Sequence, residues 1–406
     1  MRTIRRRSLL ALGLTLLTQA AAMAVPYNVV SENTINIALP IGDLKLTETV
    51  IQDGPLAINR FRMHRLRRAN FSSRGTILLL PSLGNNFNGY LTGDGGDVTK
   101  SFAGYFARLG YEVWGYSPRE TGLQAGQCGV ALDCSPALQW SLQTTIDDVT
   151  FIRGKIQSIL PGKAPIIGGL SLGSITALAV VNQHPKDYAG LLAWEGSLVT
   201  DDAAIRAHNQ GFCTQFNGLL AAGVPVDDQS LPFLKLVNQF ALASPNAPFA
   251  IPAPGFPPGL TNLQAWVLIL SAPNPIAPSP RPGFVTAAGD FTTGTLFHSS
   301  APRLAANIAA FNSVTSNRVV RDLYCSLAGV ETAYVNNLSN FKAPVMIIEG
   351  GLGFGSIMDE LPAKLGSTSV NVQTIHNFGH VDHLGSPNHL FLLELPVSQW
   401  LKQVLD

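Results

Sequence analysis

With 406 residues, 46% of them hydrophobic and 13% charged, the chain is long enough to bury a large core and exceeds one ordinary domain. Its 27 Lys and Arg against 26 Asp and Glu leave a net charge of +1, and setting aside the four arginines among the first seven residues takes this to −3. Such a balance gives no electrostatic basis for a nucleic acid or an anionic membrane surface as partner.

Residues 1–24 have a basic start (Arg2, Arg5, Arg6, Arg7), an apolar stretch from Leu9 to Leu17 and the small-x-small site Ala22-Met23-Ala24. This is the pattern of an export signal cleaved near Ala24, too short to serve as a bilayer anchor. Arg6-Arg7-Ser8-Leu9-Leu10 also partly matches a twin-arginine signal, so the general secretory and twin-arginine routes both stay open. The mature chain is therefore expected to be secreted or periplasmic.

The segment 33–66 alternates and is rich in β-formers, which predicts an antiparallel lead-in. Beyond it, short apolar runs bounded by turn formers predict strands over 75–81, 111–116, 165–169, 190–194, 345–349 and 370–375. Helical spacing predicts helices over 98–109, 140–159 and 174–184. Near-continuous apolar strands separated by amphipathic helices imply an α/β protein with a mostly parallel sheet covered on both faces.

Gly169-Leu170-Ser171-Leu172-Gly173 falls where one of these strands turns into a helix. A serine at such a turn must take a strained backbone that lifts its hydroxyl clear of the sheet, and small neighbours let strand and helix approach closely. The five residues alone are a weak signal; the flanking strand and helix make Ser171 a candidate nucleophile.

Four cysteines are even in number, and an oxidising compartment favours disulfides. Cys128 with Cys134 and Cys213 with Cys325 is one of three connectivities, which spacing does not decide. No second Cys or His stands at ligand spacing beside any of them, so zinc is not expected.

From about 200 to 340 the alternation of strand and helix breaks. Lys, Arg, Asp and Glu are absent from Leu236 through Pro280, a stretch crowded with proline and containing Trp266-Val267-Leu268-Ile269-Leu270. We expect a cap with an apolar inner face and Trp266 on the substrate side; packing within the cap itself is the competing expectation. The core is then expected in two parts, 25–199 and 341–406, flanking a cap at 200–340.

At the C-terminal end, Phe378-Gly379-His380-Val381-Asp382-His383-Leu384 offers His380 as general base, with His383 as alternative. The run His376, His380, Asp382, His383 does not have the His-x-His-x-Asp-His spacing of metallo-hydrolases, and no metal is expected. The glycines at 350–355 predict a tight backbone turn and no phosphate cradle.

Residues 75–197 and 343–405 resemble the α/β-hydrolase family. The run Ile77 to Gly84 is similar to its oxyanion strand and loop, with Pro81-Ser82 where His-Gly usually stands; Tyr111 to Glu120 resembles the next strand and its arginine-containing turn. The Gly-His-x-Asp run at 379–382 resembles the histidine loop of secreted lipases and esterases. The resemblance implies the α/β-hydrolase fold with a large inserted cap, and an acyl-enzyme on Ser171. His380 would be the base and the backbone amides of Leu83 and Leu172 the oxyanion donors. The usual place for the acid, after strand 345–349, reads Gly350-Gly351-Leu352-Gly353-Phe354-Gly355 and holds no carboxylate. Some lipases carry it one strand earlier, so Glu195 is favoured and Asp359 is the alternative. The expected substrate is a small hydrophobic or lipid-like ester, with no cofactor. Acyl transfer and thioester or amide cleavage stay open, as does a non-catalytic lipid-binding protein of the same fold.

Overall fold

All-apolar runs that cannot remain in water become the strands of a single sheet. The computed structural model describes residues 27–39, 42–93, 96–251, 255–272, 284–287 and 289–405; the expected export signal lies outside them. The strands are β1 (Tyr27–Ile37), β2 (Leu44–Asp53), β3 (Arg60–Arg68), β4 (Thr76–Leu80), β5 (Glu112–Ser117), β6 (Ile166–Leu170), β7 (Gly190–Trp194), a small pair β8 (Val226–Asp227) and β9 (Thr315–Ser316), then β10 (Val345–Gly350) and β11 (Val370–Ile375). Nine of them form one sheet in the order β1-β2-β3-β5-β4-β6-β7-β10-β11. The lead-in resolves into three strands paired antiparallel to one another and to β5, and every later pairing is parallel. Strands β4, β5, β6, β7 and β10 are buried at every position, which is why they read as continuous apolar runs.

Helices cover both faces. The helix expected over 98–109 is divided: Val98–Lys100 is a single 3₁₀ turn, and Ser101 caps α1 (Phe102–Arg108) by accepting from Gly104 N at 3.0 Å. Helix α2 (Leu142–Ile159) starts at a capping box between Ser141 and Thr144. Helix α3 (Leu172–Gln183) has an apolar surface all round because it is buried on nearly all sides, and it follows Ser171 directly. Helices α2 and α3 pack with Ile167, Leu191 and Ile347 on one face; α1 and the C-terminal helix pack with Leu79, Leu192 and Ile348 on the other.

A buried ion pair joins the antiparallel and parallel halves. Arg119, in the turn after β5, donates through Nη2 and Nε to Asp148 of α2 (2.6 and 3.0 Å) and through Nη2 to Asp53 of β2 (2.8 Å). Tyr27 and Tyr116 hydroxyls add donors at 3.3 Å. Burial pushes Asp148 up to about 6 despite the guanidinium.

Between β7 and β10 the chain builds α4 (Ala203–Ala221), α5 (Ser230–Ala243), α6 (Asn262–Ser271), α7 (Ala301–Ala309) and α8 (Asn317–Leu327), with a hydrophobic cluster of its own. No helix among the described residues is long and apolar enough to cross a membrane. Cysteines pair as Cys128–Cys134 and Cys213–Cys325, the second joining α4 to α8 across 112 residues. Closing so long a loop removes much of the entropy of the unfolded chain. The double variant Cys213→Ala/Cys325→Ala is therefore expected to lose about 3–4 kcal/mol in urea titration, and Cys128→Ala/Cys134→Ala less, because its loop is short.

Candidate active site

The turn from β6 to α3 is built by steric exclusion. A Cβ on Gly169 or Gly173 would overlap the carbonyl oxygen of Leu80 on neighbouring β4, so only glycine lets the three backbones meet. Between them Ser171 adopts φ 58° and ψ −120°, a strained conformation for a residue with a side chain. Its N–H donates to Trp194 O of β7 at 2.8 Å, and its carbonyl accepts from Ile175 N at 3.0 Å. Ser174 Oγ donates to Gly196 O at 2.7 Å, tying the first turn of α3 to the exit of β7. The buried Tyr90 hydroxyl accepts from Leu170 N and donates to Leu80 O, both at 2.8 Å, which fixes the end of β6 against the end of β4. Sequence reasoning missed Tyr90, since a tyrosine in a short helix carries no signal of where its hydroxyl ends.

Glu195 leaves β7 with its own positive φ of 51°, one residue beyond the strand that holds Ser171. Its N–H donates to Ile348 O at 2.9 Å, and its side chain is fully buried. A buried carboxylate needs donors, and three converge here: Gly350 N on Oε1, with Phe354 N at 3.0 Å and His380 Nδ1 at 2.9 Å on Oε2. A Cβ on Gly353 would overlap Oε2, so the glycine run after β10 shapes a socket for a carboxylate delivered from β7. The expectation of a tight turn at 350–355 was accurate in form. Its purpose was legible only from the missing acid at that place.

His380 is 2% exposed, flanked by the rings of Phe354 (centroids 4.7 Å apart) and Phe284 (5.9 Å). With Nδ1 held by Glu195, a neutral imidazole carries its proton there and presents Nε2 as an acceptor. No hydrogen bond joins Ser171 Oγ to His380 among the described residues. The two are linked through the main-chain bond of Ser171 to Trp194, then Glu195, at the carboxyl ends of adjacent parallel strands.

Leu83 and Leu172 are half-buried and line one cavity with Tyr116, Thr176 and Asn312. The Leu172 amide lies in the first turn of α3, where intrahelical acceptors are lacking. The Leu83 loop is gripped from the insertion between α7 and α8: Asn312 N donates to Gly84 O (2.7 Å), and Asn86 Nδ2 donates to Asn312 Oδ1 (3.0 Å) and Ala310 O (2.8 Å).

Three expectations are corrected. Asp359, the alternative acid, is exposed and makes no bond to His380 among the described residues; the chain after β10 turns two N–H groups toward the Glu195 carboxylate, which is the group that meets the imidazole. His383, the alternative base, is completely buried between Trp194 and Phe378, where desolvation lowers its pKa and keeps it neutral. Trp266 is 1% exposed and packs with Val237, Leu270 and Leu304 in the insertion's own cluster and does not line a cavity toward the substrate side. Glu349, at the end of β10, is pushed up to about 7 by burial and the nearby Asp359 and Glu195 carboxylates, against a 2.5 Å bond from Thr374 Oγ1. His376 is exposed, and Asp382 is engaged by Thr286, Ser299 and Gly379, so the histidine-rich run does not converge on one point.

No protein-family model and no curated protein matches the sequence. Among solved structures, the chain is similar to a Sulfolobus solfataricus protein provisionally described as a lipase, at 17% identity and TM-score 0.64, with 92% of this chain and 99% of that one covered. A thermostable carboxyl esterase from Bacillus coagulans also matches, at 14% identity and TM-score 0.49, covering 93% and 99%. The nine-stranded, mostly parallel sheet flanked by helices is the α/β-hydrolase fold.

Because Trp266 lies in a closed cluster, Trp266→Ala is expected to lower stability by about 3–5 kcal/mol in thermal or urea unfolding. Any ester chain-length preference should keep its shape in that variant.

Proposed function

We propose that the protein is an exported serine hydrolase of carboxylic esters, acting through an acyl-enzyme on Ser171. The observation that carries this reading is the buried Glu195–His380 pair at the exit of β7, the strand to which the strained Ser171 is hydrogen-bonded. In this reading Ser171 Oγ attacks the acyl carbon as His380 Nε2 takes its proton. Glu195 holds Nδ1–H and stabilises the imidazolium. The amides of Leu83 and Leu172 receive the developing oxyanion, the second aided by the positive end of α3. His380 then returns the proton to the leaving alkoxide, and water repeats the sequence to release the acid. The likeness in fold to lipases and esterases favours esters as substrates, and the insertion at 200–340 is assigned as a cap over the strand ends. Export is supported by the basic-apolar leader and by two disulfides, which persist in oxidising compartments.

Fluorophosphonate labelling followed by peptide mass spectrometry tests the nucleophile. The label is expected on Ser171, and Ser171→Ala should abolish both labelling and hydrolysis of p-nitrophenyl esters without a change in melting temperature beyond a few degrees. Near-parental turnover in the purified variant would remove Ser171 from the mechanism.

Kinetics of two isosteric variants test the acid. Glu195→Gln is expected to reduce kcat by about 10³-fold or more with KM nearly constant, since the imidazole loses the partner that sets its tautomer. Asp359→Asn should leave kcat within about twofold, because the side chain is exposed and makes no hydrogen bond to the imidazole among the described residues. The reverse ranking contradicts the assignment.

A further inference from the structure

The His380 loop is held from outside its own strand order. Asp382, two residues beyond His380, is completely buried and accepts four hydrogen bonds. One comes from its own loop, Gly379 N to Oδ2 at 2.8 Å. The other three come from the insertion: Thr286 N (2.9 Å) and Thr286 Oγ1 (2.8 Å) to Oδ2, and Ser299 Oγ (2.7 Å) to Oδ1. Two main-chain bonds and one from a guanidinium surround this point. Val381 N donates to Phe284 O at 2.7 Å, Ser300 N donates to Gly385 O at 2.8 Å, and Arg303 Nε donates to Leu384 O at 2.5 Å. Phe284, at the edge of the same stretch, sets its ring at a tilt beside His380, centroids 5.9 Å apart.

A surface loop would satisfy a carboxylate with water. Here the charge is out of water, and the insertion supplies most of its donors, so the cost of burying it is met only while the two segments stay together. We infer that Asp382 is a positioning residue for His380, acting through a clasp to Thr286 and Ser299, which fix that side of the site. This inference rests on the catalytic reading of Ser171 and His380. The imidazole is oriented at Nδ1 by Glu195, but its height above the sheet follows from the backbone of 379–382, and that backbone is set by Asp382. Small displacements of a proton acceptor cost rate far more than they cost substrate affinity.

The kinetic test changes the insertion side and leaves the His380 loop intact; the exchange test changes Asp382 itself. Thr286→Val removes the hydroxyl but keeps the amide and the side-chain shape, Ser299→Ala removes the other hydroxyl, and Thr286→Ser restores the first. In the full-length protein each of the first two is expected to lower kcat, and the rate of fluorophosphonate labelling, by about tenfold with KM within about twofold, and the pair by more. Thr286→Ser should recover most of the loss. Asp382→Asn should raise hydrogen exchange at Gly379, Val381 and Ser300 together, since these amides close the clasp. A folded Thr286→Val/Ser299→Ala variant with parental kcat and labelling rate overturns the proposal, as does a fall in melting temperature with kcat unchanged. A parent protein that the probe never labels overturns the catalytic reading and the positioning role with it. A parent labelled at Ser171 whose clasp variants keep full rate overturns the positioning role alone.

Discussion

A carboxylate buried at the end of a strand is the constraint around which the site is organised. Glu195 has no contact with water, and an unpaired charge in that position would be far costlier than the whole stability of a domain allows. Its oxygens must therefore be met by N–H groups, and the chain meets them with two backbone amides and one imidazole. The need for two amides at short range dictates the tight turn after β10, and the need for room above Oε2 dictates glycine at 353. The imidazole that completes the set is thereby held at one angle.

The same logic of close approach runs through the floor of the site. Gly169 and Gly173 admit the Leu80 carbonyl, Gly196 lies against the Ser171 carbonyl, and Gly350 lies against Phe378 O. These contacts pull the ends of β4, β6, β7 and β10 together, so that residues separated by more than 200 positions occupy one small volume. Ser171 and Glu195 both pay for this with positive φ, a conformation that persists because hydrogen bonds to neighbouring strands over-determine it. The two loops that face this floor, those of Leu83 and His380, are each bound to the insertion, one through Asn312 and the other through Asp382.

Much of the central sheet was legible in the sequence because a buried parallel strand leaves a simple mark, five or six apolar residues between turn formers. The run at 190–194 falls where the apolar and turn residues put it, 370–375 does so as an alternating, mostly exposed edge strand, and the others differ by a residue or two at their ends. Glu195 was also within reach, from the absence of a carboxylate after β10. What the sequence did not carry was the direction of side chains in the insertion. A tryptophan in an uncharged stretch reads identically whether it lines a cavity or fills a cluster, and Trp266 fills a cluster. Asp382 was visible as a residue of the motif, yet its partners Thr286 and Ser299 stand about ninety positions away in a segment with no periodicity. Polar residues bound across such a distance leave no local signal. His383 illustrates the converse case: its chemistry suggested a base, and only its packing between Trp194 and Phe378 shows a neutral spacer.

The insertion is tied off at its root. Where α4 leaves and α8 returns, the Cys213 and Cys325 Cα atoms are 4.8 Å apart, β8 pairs with β9, and Asn317 N donates to Pro225 O. The described residues between 228 and 314 therefore hang from a closed stem, and a loop on a closed stem can change length at little entropic cost, since each doubling adds only about 0.6 kcal/mol. The architecture thus separates two kinds of freedom. The stem and the floor beneath it tolerate almost no change in backbone spacing, whereas the chain above can be lengthened, shortened or exchanged wholesale, provided that it still returns the few polar groups that hold the neighbouring loops. Descendants of this sequence would be expected to diverge there first, and a chimaera grafted at the stem would inherit the floor unchanged.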